Sequence, residues 1–430
     1  MVFMRVFIKI MHPIRLRNVI TLSLFITIIM LWTFHVRVHK QKTLFKSHTY
    51  KIGYEVQSNL DSGEINSKFI LYETRVSSVS TMLLSDKKFL ISWVNKPRWV
   101  NLDNVNKYLD NKCPYPNCRI TLSHQHLEKM NALIFSTDAK LPDNLKSMVN
   151  RRNSNQVWIF FRTEAPPFEK RKWYTDTIWH KTMNWSWSYR VDSDIFLPYG
   201  KLAKLKTVQK RDYGDIFKRK TKIAAWVVSH CNTKSRREKF VTRLISAGVP
   251  VDIYGKCSKS KQRYESSNTQ EVINKHYKFY LSFENNICKD YITEKFFRYY
   301  EMDTVLIVRG GLNYSRYLDK TTFIDTSSFA SIQQLADFLL KVNNSIELYS
   351  QYLRNKDKYK TVLKLEKSLF QSSCELCGKL SNVKKIHKVY NRLEDFIDKG
   401  ACFSDYLDSV SMKNRTLFIT KTDMDTEHRH

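Results

Sequence analysis

The stretch that most constrains the fold of this chain runs from Tyr277 to Gly311 and reads YKFYLSFENNICKDYITEKFFRYYEMDTVLIVRGG. It opens with an apolar, aromatic run that has the length and composition of a buried strand. Asp290 is a suitable N-cap for an amphipathic helix, because apolar residues recur after it at helical spacing. Thr304–Val308 is a second β-branched run, and two glycines follow it closely. Strand, helix and strand in this order predict a βαβ unit with parallel strands.

The loop after the first predicted strand has the residue types of a nucleotide pocket. In βαβ units an anionic ligand binds beyond the carboxyl end of the strand, near the free N–H groups of the next helix. That position holds two acids, an amide, a tyrosine and a lysine: Glu284, Glu294, Asn285, Tyr291 and Lys295. By periodicity alone, an ordinary crossover with a charged first turn fits equally well.

The literal sequence separates these interpretations. FEN followed by DYITEK resembles the signature of the α-1,3-fucosyltransferases, which are inverting enzymes of the secretory pathway that use GDP-fucose. The similarity covers residues 89–402 and is densest over 184–329. It implies an α/β fold of GT-B type, in which two Rossmann-like domains face each other across a cleft. The donor would bind in the second domain and the glycan acceptor against the first.

The resemblance also implies the roles of individual residues. FFRTEAPP puts Glu164 at the position of the catalytic base, whereas without the resemblance Glu164 is interpreted as a surface glutamate before a proline turn. It also implies that an arginine early in the helix after residue 235 contacts the diphosphate, and Arg237 aligns best, with Arg236 one residue off. Residues that follow the predicted strands complete the predicted donor-binding set: Lys256, Glu284, Asn285, Tyr291, Glu294 and Lys295. Its cations would neutralise the leaving diphosphate, and Glu294 fits the ribose hydroxyls. Ser229-His230 departs from the Ser-Asn that is common in the family at that point.

Asp192 and Asp194 form a DxD triplet, which in another large class of glycosyltransferases holds a divalent cation on the donor diphosphate. The surrounding string, NWSWSYRVDSDIFLPYG, resembles a fucosyltransferase pattern, and that family does not rely on such a metal site. We therefore interpret both aspartates as structural or acceptor-side residues. No metal ligand and no cofactor are expected, with a divalent cation at most stimulatory. A metal-dependent glycosyltransferase built on the triplet is the alternative.

The net charge of the chain bounds the kinds of partner it can have. Its 430 residues include 72 basic and 41 acidic ones, for a formal charge of +31. Such an excess suits nucleic acid, an anionic membrane surface or anionic substrates. The sequence has no zinc-finger spacing, RNP-like string or glycine-rich basic tail, so nucleic acid is not an expected partner. A non-enzymatic, membrane-anchored glycan-binding protein is a second alternative, although it leaves FEN and DYITEK unexplained.

A membrane anchor is predicted near the N-terminus. Asn18–Phe34 contains no charged residue over 17 positions, which is at the short limit for crossing a bilayer. No small-residue cleavage pattern follows, and this indicates an uncleaved signal anchor. The predicted organisation is a cytoplasmic tail (1–17), a transmembrane anchor (18–36), a stem (37–87), a first domain (88–205), a linker (206–220), a second domain (221–365), a return segment (366–405) and a polar tail (406–430).

Cysteines and glycosylation triplets predict the compartment. The cysteines all lie beyond the anchor and are Cys113, Cys118, Cys231, Cys257, Cys288, Cys374, Cys377 and Cys402. The Asn-X-Ser/Thr triplets begin at Asn184, Asn313, Asn343 and Asn414. Together they favour an oxidising, lumenal compartment, and therefore a single-pass type II membrane protein. The resemblance to the fucosyltransferases implies that its membrane is that of the Golgi.

Two kinds of site are open to the early and late cysteine pairs, which are Cys113, Cys118, Cys374 and Cys377. They are the ligands of a candidate four-cysteine zinc site, but disulfides are favoured in a lumenal chain. The fucosyltransferase resemblance implies that the early pair is bridged to the late pair, and it leaves open which cysteine joins which. Cys231 and Cys257 end neighbouring predicted strands and form a further pair, which leaves Cys288 with Cys402.

Overall fold

The structure, a computed structural model, describes residues 68–71, 88–115, 117–141, 146–149, 152–166, 172–258, 268–383 and 388–403. The predicted cytoplasmic tail, transmembrane anchor and polar tail lie outside the described residues, as do most of the stem and Asn414. Within the described ranges, no helix is long and apolar enough to cross a membrane.

Strands and helices alternate through most of the described chain. The strands are β1 Ile70–Leu71, β2 Phe89–Trp93, β3 Cys118–Thr121, β4 Ala132–Ser136, β5 Val157–Arg162, β6 Trp185–Ser188, β7 Ile195–Phe196, β8 Gly200–Lys204, β9 Lys222–Val227, β10 Val251–Tyr254, β11 Tyr277–Phe283, β12 Val305–Arg309, β13 Phe323–Asp325 and β14 Tyr359–Lys364. The helices are α1 Leu102–Lys112, α2 Lys146–Val149, α3 Tyr213–Arg219, α4 Arg237–Ser246, α5 Asn268–His276, α6 Glu294–Phe297, α7 Tyr314–Tyr317, α8 Ile332–Asn343, α9 Ile346–Lys356, α10 Leu365–Asn382 and α11 Leu393–Ile397.

The first sheet has the strand order β3-β2-β4-β5-β6-β7, and every neighbouring pair is parallel. Its central strands β4 and β5 are buried along their whole length. On one face, Val105 of α1 and Leu376 of α10 pack against the sheet. On the other face, Trp179 and Ile397 do so. A parallel sheet is covered on both faces, which explains why its strands are continuous apolar runs.

The second sheet has the strand order β10-β9-β11-β12-β13, again with parallel neighbours. β11, which coincides with the predicted strand, lies at the centre and pairs with β12 from Phe279 opposite Val305 to Phe283 opposite Arg309. The predicted βαβ unit is therefore confirmed. β9, α4 and β10 form a second unit of the same kind, which is predicted by the apolar run IAAWVV, the helical spacing of apolar residues after Arg236 and the run VDIY.

The helix of the first βαβ unit begins later and is shorter than predicted. Thr293, not Asp290, is its N-cap, and its side chain accepts a backbone N–H of the first turn. Asp290 has a φ of 60°, in the left-handed region, which is incompatible with a helix. Beyond α6 the chain continues in turns, where the Tyr299 N–H bonds to the Phe296 carbonyl. Apolar residues thus recur at helical spacing without a long regular helix.

The predicted linker, 206–220, is packed rather than extended. It contains α3, which lies against α9. Arg211 and Arg219 both form ion pairs with Asp303, just before β12. β8 ends shortly before this segment and pairs in parallel with β1 and antiparallel with β14, forming a small third sheet.

All eight cysteines are paired, and none is a free thiol. The bridges are Cys113–Cys374, Cys118–Cys377, Cys231–Cys257 and Cys288–Cys402. The predicted bridging of the early pair to the late CxxC is confirmed, as are the predicted pairs Cys231–Cys257 and Cys288–Cys402. The structure settles which early cysteine joins which late one, and the zinc alternative is wrong. Two of the bridges span sequence separations of 261 and 259 residues, and they fasten α10 to the first domain.

The structure contradicts Asn184 as a glycosylation site. Only 1% of this residue is exposed. Its Oδ1 accepts hydrogen bonds from the Arg152 guanidinium at 2.6 Å and the Trp158 backbone at 2.8 Å, while its Nδ2 donates to a carbonyl at 3.0 Å. An amide nitrogen buried in this way has no room for a glycan. The other candidates within the described residues are more accessible, namely Asn313 and Asn343.

Candidate active site

The carboxyl ends of the two parallel sheets meet at Glu164 and Tyr291. Glu164 follows β5 in the first sheet, and Tyr291 lies in the loop after β11 in the second. The Tyr291 hydroxyl donates a hydrogen bond of 3.1 Å to Glu164 Oε2. A residue predicted as the catalytic base and one predicted to line the nucleotide are thus in direct contact across the two sheets.

Asp138 fixes the backbone that carries Glu164. It follows β4, the neighbour of β5, and its Oδ2 accepts the Thr163 N–H at 2.7 Å, the Thr163 hydroxyl at 2.8 Å and the Glu164 N–H at 3.1 Å. The Tyr199 hydroxyl donates to the Thr163 carbonyl at 2.8 Å. Sequence reasoning missed Asp138. Asp138 follows the apolar run ALIF much as Glu164 follows QVWIFF, but a carboxylate after a strand is a weak signal without a string that resembles the family.

The surroundings of Glu164 favour its protonated form. Burial is the main reason that the pKa of Glu164 is raised above its ordinary value of 4.5, and the negative charge of Asp138 raises this pKa further. The hydrogen bond from Tyr291 and the charge of Lys295 oppose the shift. A carboxylate with a raised pKa accepts a proton more readily than a solvated one, which suits a general base.

Three buried tyrosines form a wall beside Glu164. The ring centroid of Tyr291 lies 5.0 Å from that of Tyr189 and 6.1 Å from that of Tyr199, in edge-to-face arrangements. This packing fixes the ring of Tyr291 and therefore the direction of its hydroxyl. Tyr189 and Tyr199 flank the DxD triplet in sequence, and sequence reasoning assigned a role to neither.

Lys295 supplies a cation on the side of the second sheet. Its Nζ lies 3.2 Å from Glu284 Oε2 and 3.3 Å from Glu294 Oε1, and it donates to Thr293 Oγ1 at 2.9 Å. Burial by itself would lower the pKa of Lys295, but the two carboxylates outweigh burial and raise this pKa. The ammonium group therefore stays charged at neutral pH.

Glu284, predicted to bind the donor, supports the loop instead. Only 1% of it is exposed, and its Oε1 accepts the Thr293 N–H at 2.8 Å and the Thr293 hydroxyl at 2.9 Å. Its carboxylate thus occupies the N-terminus of α6, where the sequence predicts the donor phosphate. The prediction is corrected because the free N–H groups of a helix start attract the nearest anion, and here that anion belongs to the chain.

Arg237 and Asn285 lie at the same edge of the second sheet. Arg237 is the first residue of α4, and its guanidinium donates to the Phe283 carbonyl at 2.8 Å and the His230 carbonyl at 2.9 Å. Asn285 is 6% exposed, and its buried Oδ1 has no hydrogen-bond partner within the described residues. Buried polar atoms are usually paired, so this oxygen is suited to a donor group on a ligand.

Glu294 and Lys256 are the more exposed members of the predicted donor set. The Glu294 side chain is 45% exposed beside Lys295. Lys256 follows β10, which is separated from β11 by β9, so it lies apart from the cluster around Lys295.

The two aspartates of the DxD triplet bind different partners. Asp192 accepts hydrogen bonds from Arg190 at 2.6 and 2.9 Å and from Lys289 at 3.0 Å. Asp194 accepts one from the Tyr390 hydroxyl at 2.8 Å. In the part of the chain that the structure describes, no group of three or more His, Cys, Asp or Glu side chains could hold a metal ion. These contacts agree with a structural interpretation of both aspartates.

Comparison with known proteins assigns the family. The profile "Fucosyltransferase, N-terminal" matches residues 83–200, and "Glycosyltransferase family 10 (fucosyltransferase) C-term" matches residues 217–396. The chain is 30% identical over 345 residues to alpha-(1,3)-fucosyltransferase C of Drosophila melanogaster, covering 74% of this chain and 77% of that protein. It is also 30% identical over 271 residues to 3-galactosyl-N-acetylglucosaminide 4-alpha-L-fucosyltransferase of Bos taurus, covering 61% of this chain and 70% of that protein.

These matches define the class of protein. A crystal structure of an alpha1,3-fucosyltransferase covers 72% of this chain at 16% identity, and 95% of its own chain is aligned, with a TM-score of 0.43 that is too low to add to the sequence matches. The chain belongs to glycosyltransferase family 10, the fucosyltransferases, which confirms the resemblance to the α-1,3-fucosyltransferases. It is therefore a glycosyltransferase.

Proposed function

We propose that this chain transfers L-fucose from GDP-β-L-fucose to a GlcNAc residue of a glycoprotein or glycolipid glycan, in α-1,3 linkage and with inversion. The observation that carries the proposal is the hydrogen bond between Tyr291 and Glu164, because it joins a partly buried base of the first sheet to the predicted donor side of the second. The name of the Drosophila relative supports the transferred sugar and the linkage.

Inversion requires a single displacement at the anomeric carbon. The acceptor hydroxyl oxygen bonds to that carbon as the bond from the carbon to the β-phosphate oxygen breaks, and GDP leaves with the bonding electrons. Glu164 accepts the hydroxyl proton in this step, and its raised pKa suits the task. Tyr291 orients the carboxylate through its hydroxyl.

The leaving diphosphate is neutralised by side chains in this proposal. Lys295 follows β11 and Arg237 begins the helix after β9, so these two cations lie at the same carboxyl edge of the second sheet, where the positive charge of Arg237 acts on the pKa of Lys295. Preorganised cations stabilise a developing anion without a bound metal. Asn285 and Glu294 bind hydrogen-bond donors of the nucleotide, and Lys256 acts from the more distant β10 side.

The acceptor is proposed to bind beside Trp99. This residue lies in the loop between β2 and α1, at the same carboxyl edge of the first sheet as Glu164, and 44% of it is exposed. Its ring centroid lies 6.4 Å from that of Phe161, three residues before Glu164. Ligand sites commonly present aromatic faces, and a tryptophan ring matches the apolar face of a sugar ring.

The decisive experiment is a transfer assay. The full chain, purified in detergent, is mixed with GDP-fucose and a panel of GlcNAc-containing acceptors, with and without EDTA. Fucose transfer in both conditions is expected, with the linkage and anomeric configuration determined by NMR. Transfer only with a divalent cation would favour the metal-dependent enzyme built on Asp192 and Asp194. Acceptor binding without any transfer would favour the glycan-binding protein.

We also propose that the protein is a single-pass type II membrane protein of the Golgi, anchored by residues 18–36 with its domains in the lumen. Four disulfides support an oxidising compartment. Protease added outside intact microsomes should leave the domains uncut, and endoglycosidase should increase the mobility of the protein on a gel. Complete digestion of the domains would overturn this topology.

A further inference from the structure

Two loops from different sheets contact each other beside the active site. The β6 loop, residues 189–194, follows β6 in the first sheet, and the donor loop, residues 284–293, follows β11 in the second. We propose that Asp290 is a positioning residue, which seats Tyr291 against Glu164 by binding the backbone of the β6 loop. This proposal rests on the proposed role of Glu164 as the base.

Successive residues of the donor loop reach the β6 loop. Lys289 Nζ lies 3.0 Å from Asp192 Oδ2. Asp290 Oδ2 accepts the Val191 N–H at 3.2 Å. The ring of Tyr291 packs on that of Tyr189 with centroids 5.0 Å apart. These contacts, which we call the loop clasp, lead directly to the hydrogen bond between Tyr291 and Glu164.

Asp290 is the central member of the loop clasp. It is 6% exposed, and its φ of 60° lies in the left-handed region that few residues other than glycine adopt. Aspartate and asparagine tolerate this conformation better than other residues with a β-carbon. Helix capping does not explain Asp290, since Thr293 caps α6. Its hydrogen bond to the Val191 N–H does explain why a carboxylate occupies a position that glycine would fill with less strain.

The back of the donor loop is held independently of Asp290. Cys288 is bridged to Cys402, and the Lys289 N–H donates to the Ala401 carbonyl at 2.7 Å. Nearby, the Phe403 N–H donates to the Ile287 carbonyl at 2.8 Å. These bonds keep the loop folded when the Asp290 side chain is removed. A change at Asp290 should therefore move Tyr291 rather than unfold the domain.

The loop clasp acts on catalysis through the titration of Glu164. The charged and titratable groups that face Glu164 include Asp138 and Tyr199 on the side of the first sheet, and Tyr291, Lys295 and Glu294 on the side of the second. Tyr291 stabilises the carboxylate form by donating a hydrogen bond to it. When Tyr291 is displaced, the carboxylate loses this bond and the pKa of Glu164 rises. Activity would then be lost at a higher pH than in the wild type.

Two substitutions separate the side chain of Asp290 from its backbone conformation. Asp290→Gly removes the acceptor oxygen and accepts a positive φ without strain. Asp290→Asn keeps an acceptor oxygen, tolerates the left-handed backbone and cannot titrate. Burial raises the pKa of Asp290, so this residue is itself a candidate for the group that causes the acid limb. If the acid limb persists in Asp290→Asn, it belongs to another group. Tyr291→Phe removes the hydroxyl through which Asp290 is proposed to act.

The kinetic test measures kcat, the KM for each substrate and the acid limb of kcat against pH. For Asp290→Gly, we expect kcat to fall about tenfold or more, the scale of one lost hydrogen bond to a charged group. Its acid limb should move to higher pH, because the carboxylate form of Glu164 loses a hydrogen bond. Asp290→Asn should stay close to wild type. Combining Asp290→Gly with Tyr291→Phe should add little to Tyr291→Phe alone, because Asp290 acts through Tyr291.

A second measurement does not depend on activity. Hydrogen exchange of the Val191 amide should be faster in Asp290→Gly than in the wild type, and unchanged in Asp290→Asn. Wild-type exchange together with a wild-type acid limb in Asp290→Gly would overturn the proposal, as would equal impairment by Asp290→Gly and Asp290→Asn.

A second variant covers the case in which Asp290→Gly does not fold. Lys289→Met breaks the exposed contact of the loop clasp, between Lys289 and Asp192, and should move the acid limb in the same direction by a smaller amount. An acid limb that does not move would refute the proposal. A wild type that transfers no fucose refutes the proposed function, whereas the exchange measurement still decides the proposal on Asp290.

Discussion

The carboxyl edges of the two sheets have the same topology and different electrostatics. At the edge of the first sheet, Glu164 is partly buried, and Asp138 accepts three hydrogen bonds from the turn that carries it. At the edge of the second sheet, Lys295 lies between two carboxylates, with Arg237 nearby. Parallel strands bring loop residues together at both edges, but the loops determine which charges meet there.

The two edges show that neighbouring charges decide whether a buried group stays charged. Burial raises the pKa of Glu164, the like charge of Asp138 raises it further, and the groups that oppose the shift are weaker. Burial would lower the pKa of Lys295, but two adjacent carboxylates reverse the direction. The first edge is therefore suited to accepting a proton and the second to keeping a positive charge. Each prediction below tests one side of this comparison.

The largest effect is expected from Glu164→Gln. Glutamine has nearly the same size but does not accept a proton at neutral pH, so kcat should fall by about 10²–10⁴-fold. Binding of GDP, measured by calorimetry, should be unchanged because the second edge is intact. Glu128→Gln, the same change at an exposed site, is the control. Turnover close to wild type in Glu164→Gln would remove Glu164 from the mechanism.

Lys295→Ala should affect the other side of the comparison. GDP and GDP-fucose both carry the diphosphate, so both affinities should weaken together, by about 1.5–3 kcal/mol for one charge-assisted hydrogen bond. Calorimetry on the folded variant measures this, with Lys204→Ala, an exposed lysine of β8, as the control. An unchanged affinity for GDP would mean that Lys295 serves only as the partner of Glu284.

A smaller effect is expected from Trp99→Ala. Loss of an aromatic contact is worth about 0.5–1.5 kcal/mol, so the KM for the acceptor should rise about two- to tenfold. The affinity for GDP should not change, because Trp99 lies in a loop of the first sheet and the predicted donor residues lie at the second. Trp99→Phe is the control, because phenylalanine should retain most of the aromatic contact. Equal KM values for all three proteins would exclude Trp99 from the acceptor site.

The smallest expected effect is a displacement of the pH profile. Because the pKa of Glu164 is raised, activity should be lost as pH falls through a value above 4.5, the ordinary pKa of glutamate. Stability has the opposite sign, since a raised pKa in the folded state stabilises the fold below 4.5 and loses this contribution as pH rises through the folded pKa. The free energy of unfolding of the wild type, compared with that of Glu164→Gln, should therefore decrease with pH over this window. A parallel pH dependence of the two proteins would contradict the raised pKa.

Much of the fold follows from local patterns. The apolar runs FLISWV, ALIF and QVWIFF, which begin at Phe89, Ala132 and Gln156, predict strands that the structure contains, within about two residues at each end. The run that begins at Ile223 also predicts a strand, but β9 ends at Val227, before the predicted end at His230. Local composition succeeds here because a buried parallel strand requires a continuous run of apolar side chains, whatever its neighbours are. The strand and loop of Tyr277–Lys289 were predictable for the same reason.

The failures concern residues whose partners are distant in the chain. Asp290 fits a helix N-cap locally, but its carboxylate binds Val191, 99 residues away. Asn184 lies in a glycosylation triplet, but Arg152 and Trp158 bury its amide. In each case the sequence indicates correctly that the side chain makes a polar interaction, but it predicts the wrong partner.

The sequence by itself determined most of the strands, the family signature and an even number of cysteines. Through the family resemblance it also indicated that the early cysteine pair is bridged to the late pair. Only the tertiary structure decided that Cys113 joins Cys374, that Asp138 holds Glu164 in place and that Tyr291 reaches the base across the two sheets. The physical reason is range. Backbone propensity and burial periodicity are properties of neighbouring residues, whereas hydrogen bonds and disulfides between loops depend on where separate strands end in space.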